Sequence, residues 1–418
     1  MDVGTLALLR TPEGSSALAA AAEVAGGDPL AAAAALRGRG IPGELAASAL
    51  TQATLRLRAA AKFGADAQVM YFTRDGLEQA TRAPVAARRA ARLRASGVTH
   101  LADLGCGIGA DTIACARAGI RVTAVEADPL TAAVAAANTA ALGLDRLVTV
   151  ASGRAETAEL GTVGAAFCDP ARRRGGGRVF DPAAYSPPWE FVTRLVETVP
   201  RTVLKVAPGI DHDLVPPGAE AQWVSVDGEV VEAALWCGPL AEVPRRATLL
   251  RTGTGTGTGG ADGAGGAGGP RGSGPEAGAV AELTGTGSVE APVGTVGGFV
   301  YDPDGAVVRA HLGAEFAASV GGRIADPTIA YVYADAPTVT PFGRCYAVDE
   351  VMAFSLKRLR AALREREVGR LEIKKRGSAL RPEQLRRDLR PAGGNAATIV
   401  LTRVAGAPTV LLCRPATG

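Results

Sequence analysis

The chain has 418 residues, of which 47% are hydrophobic, so it can form at least two hydrophobic cores of ordinary size. Its net charge at pH 7 is only +3, no basic segment precedes an apolar one at the N-terminus, and no uncharged apolar run reaches about 18 residues, so we expect a cytoplasmic protein, neither secreted nor membrane-bound. Six cysteines and three histidines are scattered without metal-ligand spacing, which predicts neither disulfides nor a bound metal.

The first 250 residues divide into two predicted segments. Residues 1–95 are rich in alanine, leucine and arginine, and the turn signals GGDP and GIPG separate stretches of helical period, which predicts a helical N-terminal region. In residues 96–250, short β-branched runs such as VTHLADL, RVTAVEA and LVTVA alternate with alanine-rich helical stretches. This alternation predicts an α/β domain with a mostly parallel, Rossmann-like sheet.

The first predicted strand of the α/β segment runs into the glycine turn HLADLGCGIGADT. Gly105, Gly107 and Gly109 allow positive φ angles and leave the main chain open to a ligand, and the next helix offers free N–H groups. The turn also matches the dinucleotide fingerprint G-x-G-x-x-A, so a nicotinamide or flavin cofactor remains open. Asp103, at the strand end, would repel a pyrophosphate and attract an ammonium, which favours S-adenosylmethionine.

Two later strand ends complete the predicted cofactor site. Glu126 ends the second strand, where a carboxylate can accept hydrogen bonds from both hydroxyls of a ribose. Asp128, which precedes a proline, is predicted to be the N-cap of the following helix, with contact to the ligand as the alternative. The third strand leads into residues 152–156, where an adenine would lie against Ala155.

The order DLGCGIG, VEAD, a Gly-x-Ala turn and CDPAR resembles that of class I S-adenosylmethionine-dependent methyltransferases, over about residues 60–245. Within that superfamily, CGIGADTIACARAGIRVTAVEADPLTAAVAAANTAA is most similar to RNA guanine-N2 methyltransferases of the cap-trimethylguanosine-synthase type. The resemblance implies that Asp103, Gly105, Gly107 and Glu126 contact the cofactor. Arg154 departs from the family pattern, because many relatives place an aspartate against the adenine amine there.

The resemblance also implies the catalytic residues. The fourth strand ends at Cys168 and is followed by Asp169, Pro170 and, two residues on, Arg172. In the superfamily this strand end faces the transferable methyl group, and an acidic or amide residue before a proline holds the substrate nitrogen. Such a site must accept the N–H bonds of a weakly nucleophilic amine and aim its lone pair. The alternative is that Asp-Pro only ends a strand; strand alternation predicts that Cys168 is a buried structural thiol.

The tetrapeptide SPPW at 186–189 is identical to a catalytic motif of cap trimethylguanosine synthases. In those relatives it ends the fourth strand, whereas here seventeen residues lie between the end of that strand at Cys168 and Ser186. We therefore predict that SPPW lies on a loop beyond the site. Trp189 would stack on a base or, more commonly for a tryptophan, pack into the core.

Two further groups of residues are predicted to contact substrate. Arg173 belongs to an arginine cluster that follows the fourth strand. Such a cluster suits a phosphate-bearing substrate, and the alternative is a solvated run of charges. MYFTRDGLEQAT at 70–81 resembles the segment that in this family folds over cofactor and substrate. Tyr71 and Phe72 are thus predicted substrate contacts, with a core position as the alternative.

The last third of the chain is predicted to hold a linker and a second domain. Residues 251–293 read as a flexible linker, with thirteen glycines between 253 and 278. Residues 294–418 predict an α+β domain, and YDPDGAVVRAHL and LEIKKRGSALRPEQLRRDLR resemble the THUMP-like domain fused to bacterial methyltransferases of this kind. THUMP domains bind RNA. Residues 357–390 carry thirteen Lys or Arg against five Asp or Glu, and Lys374, Lys375 and Arg376 are predicted phosphate contacts.

These patterns together predict an S-adenosylmethionine-dependent methyltransferase that acts on a ring or exocyclic nitrogen of an RNA base. RNA is the predicted partner, and neither a membrane nor a metal is expected. Two alternatives remain: a methyltransferase for small molecules, and a non-catalytic protein that binds RNA or the cofactor. The basic segment favours RNA, because enzymes acting on metabolites have little use for it, although a helix can be basic for solubility alone.

Overall fold

The computed structural model describes residues 1–172, 185–252, 278 and 280–416, and of Ala171, Arg172 and Tyr185 only the backbone. The chain divides into two compact units. Unit 1 comprises residues 1–206, 210–219 and 234–242, and unit 2 comprises residues 207–209, 220–233 and 243–418. The helical N-terminal segment thus belongs to the same unit as the first strands of the α/β segment.

Six helices open unit 1: α1 Val3–Leu9, α2 Pro12–Val24, α3 Pro29–Gly38, α4 Gly43–Phe63, α5 Arg74–Gln79 and α6 Ala83–Ala95. The GGDP turn starts α3, because the Asp28 carboxylate accepts a hydrogen bond from the Ala31 amide at 2.8 Å and a proline fills the first helical position. Leu36 and Phe63 share one hydrophobic core with Ile108 and Val134 of the α/β segment. This shared core explains why residues 1–95 do not form a separate unit.

The rest of unit 1 alternates strands and helices: β1 His100–Leu104, α7 Ala110–Arg117, β2 Arg121–Glu126, α8 Pro129–Ala141, β3 Val148–Ser152, β4 Ala165–Cys168, β5 Ala171–Arg172, β6 Tyr185–Ser186, α9 Trp189–Thr198 and β7 Thr202–Val206. The main strands lie in the order β3-β2-β1-β4-β7, and each neighbouring pair is parallel. The prediction of a parallel, Rossmann-like sheet is confirmed. Parallel pairing brings the carboxyl ends of β1, β2 and β4 to one edge, where such sheets bind ligands.

Unit 2 contains the remaining strands and helices: β8 Glu220–Val226, β9 Glu229–Trp236, β10 Arg245–Leu250, β11 Val280–Gly285, β12 Phe299–Pro303, α10 Gly305–Arg309, α11 Gly313–Ser319, β13 Arg323–Ile324, β14 Val332–Ala334, β15 Gly343–Ala353, α12 Leu356–Glu365, β16 Val368–Lys375, α13 Pro382–Leu389, β17 Asn395–Val404 and β18 Ala407–Pro415. The last three residues of β9 belong to unit 1. β11 lies inside the predicted linker, and most of the rest of that linker, 253–277 and 279, lies outside the described residues. Unit 2 is α+β, as predicted for residues 294–418.

A seven-stranded sheet in the order β13-β14-β12-β15-β18-β17-β16 forms most of unit 2. Leu359 of α12 and Leu385 of α13 pack into one core with Leu371, Ile399 and Val410 of the sheet, so both helices cover it. None of the helices that the structure describes is both long enough and apolar enough to span a bilayer.

Candidate active site

A cavity of about 490 Å³ lies at the carboxyl edge of the unit 1 sheet. Ligand-binding cavities of this size and position are common in open α/β sheets. Five of the six predicted cofactor residues line it, and they are Asp103, Gly105, Gly107, Glu126 and Ala155; the predicted catalytic residue Asp169 lines it too. Gly109 is the exception among the predicted cofactor residues, because it is the N-cap of α7.

The glycine turn forms the floor of this cavity. Gly105, Gly107 and Gly109 have φ angles of +85°, +55° and +91°, which residues with a side chain rarely adopt. A Cβ atom on Gly105 would lie 3.2 Å from the backbone oxygen of Asp169, so the turn packs closely against the end of β4. A Cβ atom on Gly107 would meet nothing within 4 Å, so the backbone here faces open space.

Asp103 is buried beneath the turn with one oxygen unsatisfied. Its side chain is 0% exposed, and the Thr112 hydroxyl donates a hydrogen bond to Oδ2. Oδ1 has no hydrogen-bond partner among the described residues. Burial, reinforced by the nearby Asp111 carboxylate, raises the pKa of Asp103 to about 7. The site therefore presents a buried acceptor that lacks a donor.

A buried ion pair lies beside Asp103. The Arg89 guanidinium of α6 lies 3.1 Å from Oδ1 of Asp111, and both side chains are almost completely buried. The same guanidinium lies 4.7 Å from the centroid of the Phe167 ring. Arg89 thus compensates the charge of Asp111, whereas Asp103 forms no ion pair within the described residues.

Glu126 is held by two backbone amides. Oε2 accepts a hydrogen bond from Gly107 N–H at 3.0 Å, and Oε1 accepts one from Asp128 N–H at 3.0 Å. Each oxygen keeps a second lone pair for a ligand. Asp128 caps α8 by accepting a hydrogen bond from the Thr131 amide at 2.8 Å, so its predicted capping role is confirmed, although it also lines the cavity.

Asp169, at the end of β4, pairs with a lysine that the sequence did not single out. Nζ of Lys205, on the neighbouring strand β7, lies 2.6 Å from Oδ2 of Asp169. The sequence feature that could have indicated this lysine is a single charged residue in the strand TVLKV. It lies at the level where the fourth strand ends. Pro170 is buried, and Cys168 is fully buried, with its thiol pKa raised well above the usual value by burial, which fits the predicted structural thiol.

The prediction that SPPW lies beyond the site is wrong. β6 pairs antiparallel with β5, so that Ser186 lies opposite Ala171, and Ser186 and Pro187 line the cavity. The chain leaves the end of β4 and returns to it, which sequence separation alone did not reveal. Trp189 lines a different hollow of unit 1, beside Val192 and Leu204. The side chain of Arg172 and all of Arg173 lie outside the described residues.

Tyr71 and Phe72 do not line the cavity, contrary to the predicted substrate role. Both side chains are buried, and Phe72, at 0% exposure, packs against Phe63, with the ring centroids 5.6 Å apart, in the core shared with the N-terminal helices. A substrate therefore has no open ring face to stack on. The core alternative is the one that the structure supports.

The cavity is instead lined by the residues that follow these aromatics, Thr73, Asp75, Gly76, Gln79, Ala80 and Thr81. Lys62 of α4 fixes this segment by donating hydrogen bonds to the carbonyls of Leu77 at 2.7 Å, Glu78 at 2.7 Å and Ala80 at 3.0 Å. The segment from the N-terminal half thus forms one wall of the site, as the resemblance implied for residues 70–81.

Asn138 of α8 ties that wall to the glycine turn. Its Oδ1 accepts from the Tyr71 amide at 2.7 Å, and its Nδ2 donates to the carbonyls of Tyr71 at 3.1 Å and Ile108 at 2.9 Å. We expect Asn138→Ala to lower the free energy of unfolding by about 2 kcal/mol, because buried backbone groups lose their partners. Urea denaturation measures the loss. Asn395→Ala, at an exposed asparagine of unit 2, is the control; an equal loss there would contradict the expectation.

The predicted RNA contacts Lys374, Lys375 and Arg376 make contacts within unit 2. Arg376 donates two hydrogen bonds to Oδ1 of Asp302, at 2.8 and 3.1 Å, and Nζ of Lys374 lies 3.8 Å from Oδ2 of the same carboxylate. Lys375 donates to the carbonyl of Leu380 at 2.9 Å. A guanidinium bonded in this way to a half-buried carboxylate is not a free phosphate contact, so the structure does not support this role for Arg376.

Comparison with known proteins gives similarities at three levels. A family model described as THUMP domain-like matches residues 343–415, and one described as Domain of unknown function (DUF8688) matches residues 2–59. Two Mycobacterium tuberculosis proteins, from strains CDC 1551 / Oshkosh and ATCC 25618 / H37Rv, are called uncharacterized S-adenosylmethionine-dependent methyltransferases; each is 34% identical over 378 residues, 86% of this chain and 95% of the relative. A solved structure from Porphyromonas gingivalis W83, provisionally described as a methyltransferase, is 24% identical, with 90% of this chain and 92% of that chain covered and a TM-score of 0.68, and shows the fold alone.

Proposed function

Because the chain belongs to the family of S-adenosylmethionine-dependent methyltransferases, we propose that it transfers a methyl group from this cofactor to a nitrogen of an RNA base. Cofactor and reaction class follow from family membership. That the methyl acceptor is a base of RNA is the part of the proposal that goes beyond family membership. It is supported by the acceptor geometry at Asp169 and by the basic helices of unit 2.

The cavity residues fit the cofactor. Asp103 Oδ1 is a buried acceptor that lacks a donor, and the ammonium of the methionine end would supply one, whereas a pyrophosphate would be repelled. Glu126 would accept hydrogen bonds from the ribose, and Ala155 would border the adenine. When bound, S-adenosylmethionine supplies a methyl group on a positively charged sulfur. Asp103, Glu126 and Ala155 would hold the cofactor in the cavity that Asp169 also lines.

We expect Glu126→Ala to weaken binding of S-adenosylhomocysteine by about 1–2 kcal/mol, roughly five- to thirtyfold, because the ribose hydroxyls lose their acceptor. Isothermal titration calorimetry measures the change. Glu126→Gln keeps one acceptor oxygen and should lose less, and Glu159→Ala, at an exposed carboxylate outside the cavity lining, is the control. Unchanged affinity in Glu126→Ala would remove Glu126 from the cofactor site.

Asp169 is the proposed acceptor for the substrate nitrogen. Its Oδ2 bonds to Lys205, and no hydrogen bond reaches Oδ1 in the part of the chain that the structure describes. Oδ1 would accept an N–H bond of the acceptor nitrogen, which aims the lone pair and excludes water from its place. The same atom would take up the proton that the nitrogen loses on methylation. A group without an N–H or O–H bond has no such partner here.

The proposed RNA contact is the basic surface formed by α12 and α13, both inside the region matched by the THUMP domain-like model. The helices lie side by side, joined by a hydrogen bond from the Arg360 guanidinium to the Asp388 carbonyl. The exposed cations of these helices that form no ion pair within the described residues are Lys357, Arg358, Arg364, Arg386 and Arg387, and the exposed Arg390 directly follows α13. Unpaired cations suit a phosphate backbone.

We expect the triple variant Lys357→Gln, Arg358→Gln and Arg364→Gln to weaken RNA binding. The slope of log affinity against log salt should fall by about 0.7–0.9 for every phosphate that these side chains neutralise in the wild type. A salt titration with total RNA measures the slope. The matched control replaces Arg94, Arg121 and Arg146, three exposed arginines of unit 1, by glutamine. Equal slopes in wild type and the α12 variant would show that this surface is solvated and binds no RNA.

The observation that carries the proposal is the coincidence, in one chain, of the Asp169 acceptor site with a THUMP domain-like match that contains the basic helices. The test is incubation of the full chain with labelled S-adenosylmethionine and total RNA, followed by nucleoside analysis. Label in a base-methylated nucleoside is the expected result. Label in small metabolites alone would replace RNA by a small-molecule substrate, the alternative left open by the sequence.

A further inference from the structure

Lys205 lies at the carboxyl end of β7, next to the strand that leads to Asp169. The parallel register aligns Cys168 with Leu204, so the residues that follow, Asp169 and Lys205, lie at the same level of neighbouring strands. Nζ of Lys205 donates to Oδ2 of Asp169 at 2.6 Å. The contact therefore follows from the sheet register and does not depend on a flexible loop.

The lysine of this pair is largely shielded from water. The Lys205 side chain is 13% exposed and that of Asp169 is 33% exposed, and the other residues of β7 are buried. An ammonium taken out of water is costly unless an opposite charge compensates it, so this contact constrains both groups more than a surface ion pair does. Oδ2 is thereby held in one place.

We propose that Lys205 is a positioning residue, which fixes Asp169 so that Oδ1 faces the cavity and meets the methyl acceptor. The inference rests on the proposed methyl transfer. Asp169 lines the cavity, whereas Lys205 does not, so the lysine acts through the carboxylate. Without the ammonium, the carboxylate is free to turn among its rotamers, and its oxygen no longer points in one direction.

A binding experiment tests this without any methyl acceptor. Sinefungin carries an amino group on carbon where S-adenosylmethionine carries a methyl group on sulfur, and S-adenosylhomocysteine carries a neutral sulfur without the methyl group. Lys205→Met removes the competing cation from Asp169, and a carboxylate still attracts an amine beside it whichever rotamer it adopts, so we expect the affinity ratio of sinefungin to S-adenosylhomocysteine to rise about fivefold or more. In an Asp169→Ala background the same substitution should change the ratio by less than about twofold.

The rate of methyl transfer should fall in the variant in which the sinefungin affinity ratio rises. We expect Lys205→Met to lower turnover by about 10- to 100-fold while the dissociation constant of S-adenosylhomocysteine stays within about twofold. Lys205→Arg keeps a cation and should retain both a near wild-type ratio and most of the turnover. A residue needed only for folding would lower cofactor affinity and turnover together and would leave the sinefungin preference where it was.

The proposal is overturned by an unchanged sinefungin ratio in Lys205→Met, or by a change that persists when Asp169 is absent. Thermal melts show whether each variant folds, and Lys205→Gln replaces the methionine variant if that one does not. Failure of wild type to methylate RNA would remove the RNA substrate only. The ratio would still decide the role of Lys205.

Discussion

Asp169→Ala is expected to lower methyl transfer by about 10²-fold or more while the dissociation constant of S-adenosylhomocysteine stays within about twofold. The carboxylate lines the cavity at the end of β4, where its free oxygen would hold an N–H bond of the acceptor. Its loss removes orientation of the nitrogen, which acts on the transition state more than on cofactor binding. Single-turnover transfer to RNA at saturating cofactor measures the first quantity, and calorimetry measures the second.

Two comparisons make this expectation specific. Asp169→Asn keeps an acceptor oxygen and the shape of the side chain, so it should retain more activity than the alanine variant. Asp145→Ala, at an exposed carboxylate of unit 1, controls for a loss of negative charge. A parallel fall in cofactor affinity would mean that Asp169 supports the fold of the cavity, and unchanged turnover would remove it from the acceptor site.

The glycine turn, Asp103 and Glu126 could be predicted because each depends on local rules. A strand that ends in an acid and runs into alternate glycines can place its backbone in few ways, and the next strand end follows after one helix. The structure brings all of these residues, except Gly109, to one cavity. The N-cap role of Asp128 was equally local, since an acid before a proline at a helix start has one common function.

The acceptor side of the site depends on pairing between distant segments, which the sequence does not encode in any short pattern. Lys205 meets Asp169 because β4 and β7 pair in one register, and a shift of one residue would send the lysine to the other face. Ser186 and Pro187 reach the cavity because β6 returns to β5. The prediction for SPPW used only the number of residues after the fourth strand, and it therefore placed Ser186 and Pro187 too far from the site.

The predicted ligand contacts of Arg376, Tyr71 and Phe72 are not supported, because each side chain already has partners within the fold. Arg376 belongs to the most basic stretch of the chain, yet Asp302, far upstream, accepts its hydrogen bonds. Tyr71 and Phe72 look accessible in a polar segment, but the core between the N-terminal helices and the α/β segment encloses them. In both cases tertiary partners decide whether a residue type that often binds ligands is available.

The raised pKa of Asp103 makes the stability of the ligand-free protein depend on pH. Burial, then the Asp111 and Asp169 carboxylates, raise its pKa to about 7, whereas the Thr112 hydrogen bond and the Arg89 charge oppose the rise. A carboxyl whose pKa is raised by folding adds stability below its ordinary pKa, near 4, and loses it as pH rises through 7. The ligand-free protein should therefore melt at lower temperature at pH 8 than at pH 5, and Asp103→Asn should reduce this difference.

Cofactor binding should show the opposite trend. A bound ammonium favours ionised Asp103, so below pH 7 binding must release a proton, and affinity for S-adenosylhomocysteine should rise about tenfold per pH unit up to pH 7 and then level off. Calorimetry in buffers of different ionisation enthalpy counts the proton. Asp103→Asn should weaken binding by about 10²-fold at pH 8, because a charge-assisted hydrogen bond is removed, and should abolish the slope. Methylthioadenosine, which lacks the amino-acid end, should bind wild type without the slope. An equal slope for both ligands would show that the titrating group is not Asp103 or that the ammonium lies elsewhere.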